Sequence, residues 1–463
     1  MSERSIPRFA KGAGFYLSES VIIYVMFDNL FPPTFTILGF IWKHFLLWGW
    51  VITPVLLGPF LWSSWLYYIR IRTMRKFKWQ VLEFRLPPDV EKSPLAMEQV
   101  LSILQSTYFK GGWWKRYVEG RVQEWFSLEI TSFEGELHLY IRTLAQFRNL
   151  VEAAIYAQYP QAEIFDAEDY TANVPVYIPN ETHNLFGCEY KLAREDAYPI
   201  RTYKDFEFKT EGSKAGESNV SIVDPLAGIV ETMTRLKRGE QAWIQIGIRP
   251  TDDAWKNIGV ELALKLVGRP KKETPKGSYV LALLKKELSD YASGALQAPF
   301  KTPEYEEFQW GSPKSDKPHS LMQFLTTGEK EIIEGVERKI SKVAFETVIR
   351  VVYIATNEAY NIPSFFQVAS GFNQFSTQNL NAIKRDGITL TAARFPFKKT
   401  REMQKKRWLL YKYRLRYRPQ TMFIMNIEEL ASLFHFPGRV VMAPTLPRVQ
   451  AKKGEPPAGL PGY

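Results

Sequence analysis

The chain has 463 residues, 45% of them hydrophobic and 14% aromatic, with 60 Lys/Arg against 49 Asp/Glu and a formal net charge of +11. That apolar content excludes a disordered chain, and the length allows two or three domains with sizeable cores. A single cysteine, Cys188, excludes an intramolecular disulfide and fits a reducing compartment.

Residues 1–44 read as an interfacial or extracytoplasmic segment, because Glu19, Asp28 and Pro32-Pro33 interrupt their apolar pattern. From Phe45 to Ile69, 25 residues carry no charge. Roughly 20 apolar residues cross a bilayer core, so residues 45–69 are expected to be a transmembrane helix. Trp48 and Trp50 near one end and Trp62 and Trp65 near the other would form its aromatic belts. Arg70, Arg72 and Arg75, with Lys76 and Lys78, follow at once and would meet anionic head groups. The positive-inside rule then places the bulk of the chain in the cytoplasm. The expectation is a single-pass protein of the cytoplasmic membrane, with the bilayer as a partner. A two-span hairpin is the alternative.

Trp79 to Leu86 alternates as a strand. Ser93 and Pro94 then open a helix with Met97, Val100, Leu101 and Leu104 on one face. Two alternating runs around Phe126–Thr131 and Leu137–Arg142 form a hairpin through Glu134-Gly135. A helix carrying Val151, Ala154 and Ile155 and a short strand, 162–166, complete a β-α-β-β-α-β order. Residues 79–170 are therefore expected to be a ferredoxin-like α+β domain. A second such unit, a degenerate repeat of the first, is traced over 200–380. Its first strand would be Asp205–Lys209, and an insertion would fill 251–327. The fold class expected is α+β: a transmembrane helix followed by ferredoxin-like units.

The basic excess is local. Lys384 to Arg418 holds thirteen Lys/Arg against Asp386 and Glu402, an excess equal to that of the whole chain. Residues 384–438 read as a basic strand and a capped C-terminal helix. In the strand Lys412, Arg414, Arg416 and Arg418 would share one face, opposite Tyr411, Tyr413 and Tyr417. Four cations on one face call for phosphates or for acids of a neighbouring strand. Asn426 and Glu429 have capping-box spacing. The proline-rich residues 439–463 read as an extended tail.

Four phrases carry a resemblance: Ser93-Pro94-Leu95-Ala96-Met97-Glu98, Ala157-Gln158-Tyr159-Pro160 with Ala162-Glu163-Ile164, Asn426-Ile427-Glu428-Glu429-Leu430-Ala431, and His435-Phe436-Pro437-Gly438. From about residue 45 onward the chain resembles the membrane-anchored region that precedes the motor in coupling-protein-like ATPases of type IV secretion, as in candidate-phylum bacteria. In those ATPases a phosphate-binding domain follows. Here no Gly-x-x-x-x-Gly-Lys-Ser/Thr pattern occurs. The resemblance implies a non-catalytic scaffold of a DNA- or protein-transfer complex. It would partner a separate P-loop ATPase, or itself, through Glu429, Leu430, His435, Phe436 and Pro437. The alternative is a membrane-tethered nucleic-acid-binding protein that uses residues 412–418. No catalytic residues, cofactor or metal site are expected: the five histidines are scattered, and His183 with Cys188 lacks a second ligand pair.

Overall fold

Runs rich in β-branched and aromatic residues give this chain its longest strands, and all but two of the described strands join into one sheet. The computed structural model describes residues 36–85, 92–209, 220–267, 325–419 and 422–437. They fall into two units, one of residues up to Lys76 with Gly111–Val122, the other of Phe77–Lys110 with Gln123 onward.

The smaller unit is built on α1 (Thr36–Met74). Trp62 of α1 stacks on Tyr117 at 6.1 Å between ring centroids, and the Thr73 hydroxyl donates to the Glu119 carbonyl at 3.1 Å. Gly120 has φ +68 and presses on the Ile69 backbone, where a Cβ would lie 2.7 Å from the Ile69 carbonyl carbon. Only glycine combines that dihedral with that approach.

The expected membrane topology is corrected here. Among the described residues no helix is long and apolar enough to cross a membrane. Freedom from charge is a weaker condition than hydrocarbon. From Pro54 onward Gly58, Pro59, Ser63 and Ser64, with the amphipathic Trp62, Trp65, Tyr67 and Tyr68, dilute the aliphatic side chains before Arg70 and Arg72 arrive. The single-pass localisation falls with the span. The side chains of Trp48 and Trp50 lie outside the described residues.

The larger unit contains β1 (Trp79–Arg85), α2 (Leu95–Gln105), β2 (Phe126–Phe133), β3 (Glu136–Leu144), α4 (Arg148–Gln158), β4 (Glu163–Ala167) and β5 (His183–Leu192); helix α3 (Trp113–Tyr117) belongs to the smaller unit. There follow β6 (Glu207–Lys209), β7 (Val220–Ile222), α5 (Ala227–Thr234), β8 (Glu240–Pro250) and α6 (Lys256–Leu266). The last elements are α7 (Thr327–Ile340), β9 (Ala344–Thr356), α8 (Ile362–Ser370), β10 (Ile383–Arg385), α9 (Lys398–Arg414), β11 (Phe423–Asn426) and α10 (Ile427–Leu433).

Nine strands make one sheet in the order β10-β5-β9-β8-β2-β3-β1-β4, with β11 added alongside β9. Every pairing is antiparallel. The order reads the same from both ends. β4-β1-β3-β2 and β10-β5-β9-β8 are each the fourth, first, third and second strands of a half, and β2 pairs β8 where the halves meet. A pseudo-two-fold axis therefore runs through the β2–β8 pair.

The expected fold class is corrected accordingly. The chain is a mixed α/β protein with one continuous antiparallel sheet, not separate ferredoxin-like units behind a membrane span. The first strand of the second half is β5, whereas Glu207–Lys209 pairs only with β7 in a small separate ribbon.

Helices cover the first face of the sheet. Met97, Val100, Leu101 and Leu104 of α2, Val151 and Ile155 of α4, Ile229 and Met233 of α5, Phe365 and Val368 of α8 and Leu430 of α10 share one core with Leu82, Ile130, Ile141, Ile246 and Ile349 of the strands. Each fully buried side chain of this size stabilises by roughly 1.5–3 kcal/mol. The second face has a smaller core, in which Val81, Tyr140, Leu185, Trp243 and Val352 meet Tyr170, Val174, Leu409, Leu410 and Tyr413.

Candidate functional site

On the second face a polar row crosses six strands. Glu83 faces Tyr140, Tyr140 faces Glu129, Glu129 faces Gln245, Gln245 faces Arg350, and Arg350 faces Glu189. Such a row is too costly to leave dry and unpaired. Glu83 at one end is paired with His138 and Arg85, and from Glu129 to Glu189 the row meets α9 and the segment that follows it.

Arg416 is the central partner. Its guanidinium donates to Glu129 through Nε at 2.9 Å and Nη2 at 3.1 Å, and also to Asp169. Both Arg416 and Glu129 are buried. Tyr170 and Ser127 also donate to Glu129, and the hydroxyls of Tyr170 and Tyr413 lie 2.8 Å apart. Burial pushes the Glu129 carboxyl up, but the Arg416 charge and these hydrogen bonds hold it below its ordinary value. Arg350 donates to Glu189 at 2.8 Å, to Gln245 at 2.9 Å and to the Tyr417 carbonyl. Lys412 completes the row on the other oxygen of Glu189, at 3.1 Å.

The expected basic strand is not a strand, and this too is a correction. Lys412 and Arg414 lie in the last turn of α9 (Lys398–Arg414), and Arg416 and Arg418 follow it in the segment beyond. The four cations do not share an open face. Lys412 and Arg416 pair with carboxylates. Arg414 donates to the carbonyls of Thr171, Val174 and Pro175. Arg418 lies 3.7 Å over the Trp125 ring, where burial and the Arg249 charge push it down to about 9. Bound in this way, they hold α9 on the sheet.

What α9 presents outward is different. Leu409, Leu410 and Tyr413 are buried. Arg401, Gln404, Trp408, Tyr411 and Leu415 are exposed, and at 100° per residue they form one stripe opposite the buried side. Its first turn adds the exposed Lys398 and Lys399. Lys398, Lys399 and Arg401 have no acidic partner among the described residues. At the other end Trp408 and Tyr411 stack with ring centroids 5.4 Å apart and planes at 18°, and each is more than half exposed (54% and 52%). Tyr417 is 6.5 Å from Trp408. Phe395 and Phe397 just before the helix are open to solvent. Lys405 donates to the Leu390 and Ala392 carbonyls and Lys406 to Asn184, which fixes the middle of the helix. Sequence reasoning missed this stripe. The signal was present in the i, i+3, i+4 spacing of Arg401, Gln404, Trp408, Tyr411 and Leu415.

A cleft of about 520 Å³ lies where β5 leaves β9 and β11 takes its place, lined in part by Glu189, Lys191, Asp386, Lys412 and Phe423. Four of its charges are engaged in pairs: Lys191 pairs with Asp386 at 3.1 Å and Lys412 with Glu189.

The C-terminal residues expected to face an ATPase point inward instead. Glu429 pairs with Lys339 at 3.1 Å, both side chains being fully buried. Asn426 and Glu429 form the complete capping box of α10. Leu430 is in the first-face core. His435 Nε2 lies 2.9 Å from Asp224, and Phe436 packs edge-on against Tyr159 at 4.7 Å. Pro437 is half-buried. Glu429, Leu430, His435 and Phe436 are buried in the fold and present no open face. Among the described residues no three His, Cys, Asp or Glu are grouped to hold a metal ion.

A family model for a domain of unknown function, DUF8128, matches residues 121–446. The chain belongs to this family. The DUF8128 region takes in β2 to α10 and so includes the β2–β8 junction, the polar row and α9. No curated protein matches the chain.

Proposed function

We propose that this DUF8128 protein is a non-catalytic, nucleic-acid-binding component of a larger assembly, the accessory role that the resemblance to coupling-protein-like ATPases implies. One observation carries this reading: α9 displays exposed aromatic rings on one stripe with Arg401, and two more exposed cations, Lys398 and Lys399, on its first turn, none of the three paired with an acid among the described residues. Cations that stabilise the fold are paired, as Arg416 and Lys412 are. Lys398, Lys399 and Arg401 are left for an external anion, and a phosphate backbone supplies a row of them. The interior carboxylates support a non-catalytic reading, because Glu129, Glu189 and Glu429 are each consumed by a cation of the fold.

The test is fluorescence anisotropy of the full chain with a fluorescein-labelled 30-nucleotide oligonucleotide at several salt concentrations. Binding should weaken steeply with salt. The triple variant Lys398→Gln, Lys399→Gln, Arg401→Gln should lower the slope of log K against log salt by about 2–3, since each phosphate contact contributes roughly 0.7–0.9. Absence of binding at low salt would remove the proposal.

A further inference from the structure

We infer that α9 takes a single strand in preference to a duplex, stacking unpaired bases on Trp408 and Tyr411 while Lys398, Lys399 and Arg401 hold the phosphates. This rests on the reading of α9 as a nucleic-acid surface and adds what form of nucleic acid it selects. The two ends of α9 differ in chemistry. The N-terminal turn carries charge, and the C-terminal turns carry flat apolar rings. From Lys398 to Trp408 is about 15 Å along the helix axis, about the rise of four stacked nucleotides at 3.4 Å each.

The rings decide between strand forms. In a duplex the base faces are already stacked and only edges and phosphates are reachable. An exposed indole and phenol pair gains little from phosphates. Unpaired bases offer the π-faces that such rings take, with little dependence on sequence. The two rings lie outside the core: the buried side of α9 is made by Leu409, Leu410 and Tyr413, whereas Trp408 and Tyr411 stack on each other half exposed, with the Lys412 ammonium 5.7 Å from the Trp408 ring. Replacing them therefore leaves the core untouched.

The experiment compares wild type, the Trp408→Ala/Tyr411→Ala variant and Trp408→Phe, each as the full chain. The probes are labelled (dT)30, a 30-base-pair duplex and heparin, a polyanion without bases. Wild type should prefer (dT)30 to the duplex. The double variant should lose about tenfold per ring on (dT)30 and hold its heparin affinity. Trp408→Phe should keep most of the single-strand affinity. Equal or tighter binding of the duplex by wild type would overturn the inference. So would an unchanged (dT)30 affinity in the double variant, and if the cation variant still failed, the broader reading of α9 would survive. No binding of any probe by wild type would sink both.

Discussion

Arg416 shows how one residue can break a local rule because a longer-range interaction outweighs it. It follows the C-cap of α9 with φ +47, a left-handed position where glycine is common. An arginine there costs about 1–2 kcal/mol of backbone strain. Removing its guanidinium would leave Glu129 buried and unpaired, at about 3–5 kcal/mol. Arg416→Gly should therefore destabilise by a net ~1–4 kcal/mol despite relieving the backbone, as read by urea denaturation. Adding Glu129→Gln to Arg416→Gly should recover part of the loss. A stabilised Arg416→Gly protein would show that strain dominates. Glu428 gives a pH prediction. Burial raises its carboxyl, but hydrogen bonds from Lys342, Thr202 and Lys204 bring it down to about 2. A carboxyl lowered in the folded state stabilises fully above its unfolded value, near 4.5, and that stability disappears as pH falls toward 2. Glu428→Gln should flatten the melting-temperature profile across that acid window and lower the plateau above it, by on the order of 3 kcal/mol at most.

At the scale of the element, α9 sits where it does because β5 has a glycine beneath it. A Cβ on Gly187 would lie 2.5 Å from the Val351 carbonyl and 2.8 Å from Leu409 Cδ2. Gly187→Val should cost about 1–3 kcal/mol by overpacking. Leu409→Ala in that background should relieve only the contact with the helix, so a full rescue in a thermal melt would contradict the geometry. Periodicity made many elements legible. The alternation from Trp79 corresponds to β1, the Met97–Leu104 stripe to α2 and the Asn426–Glu429 spacing to a true capping box. Two elements were not legible for physical reasons. In Tyr411–Arg418 a short alternation of cations and aromatics mimics a strand, because period 2 and period 3.6 agree over so few residues. β5 was hidden by Asn184 and Gly187, poor strand formers whose place is set by neighbouring strands. The pairing of the basic residues with Glu129, Asp169 and Glu189 joins positions more than 200 residues apart. Local pattern carries no trace of it.

At the scale of the whole larger unit, the β2–β8 pair determines cooperativity. It runs from Phe126↔Ile248 to Phe133↔Gln241 through the centre of a continuous core. Neither half can open there without exposing Leu128, Ile130, Ile244 and Ile246 together. Amide hydrogen exchange of 126–133 and 240–250 should therefore match that of β9, at the level of global unfolding. Exchange that protects one half well above the other would mean that the halves unfold separately.

The palindromic strand order also affects how the sheet assembles. Two separate halves of this design would meet only by collision, and their union would weaken on dilution. Tethered in one chain, they meet at a rate independent of protein concentration, with an effective local concentration set by the linking segment. The edge each half offers is used up in closing the pair, so the same contact cannot recruit a third copy. Because the halves are fixed partners, their surfaces are also free to differ. Here one half alone provides, through Gly187 of β5, the seat on which Leu409 of α9 rests.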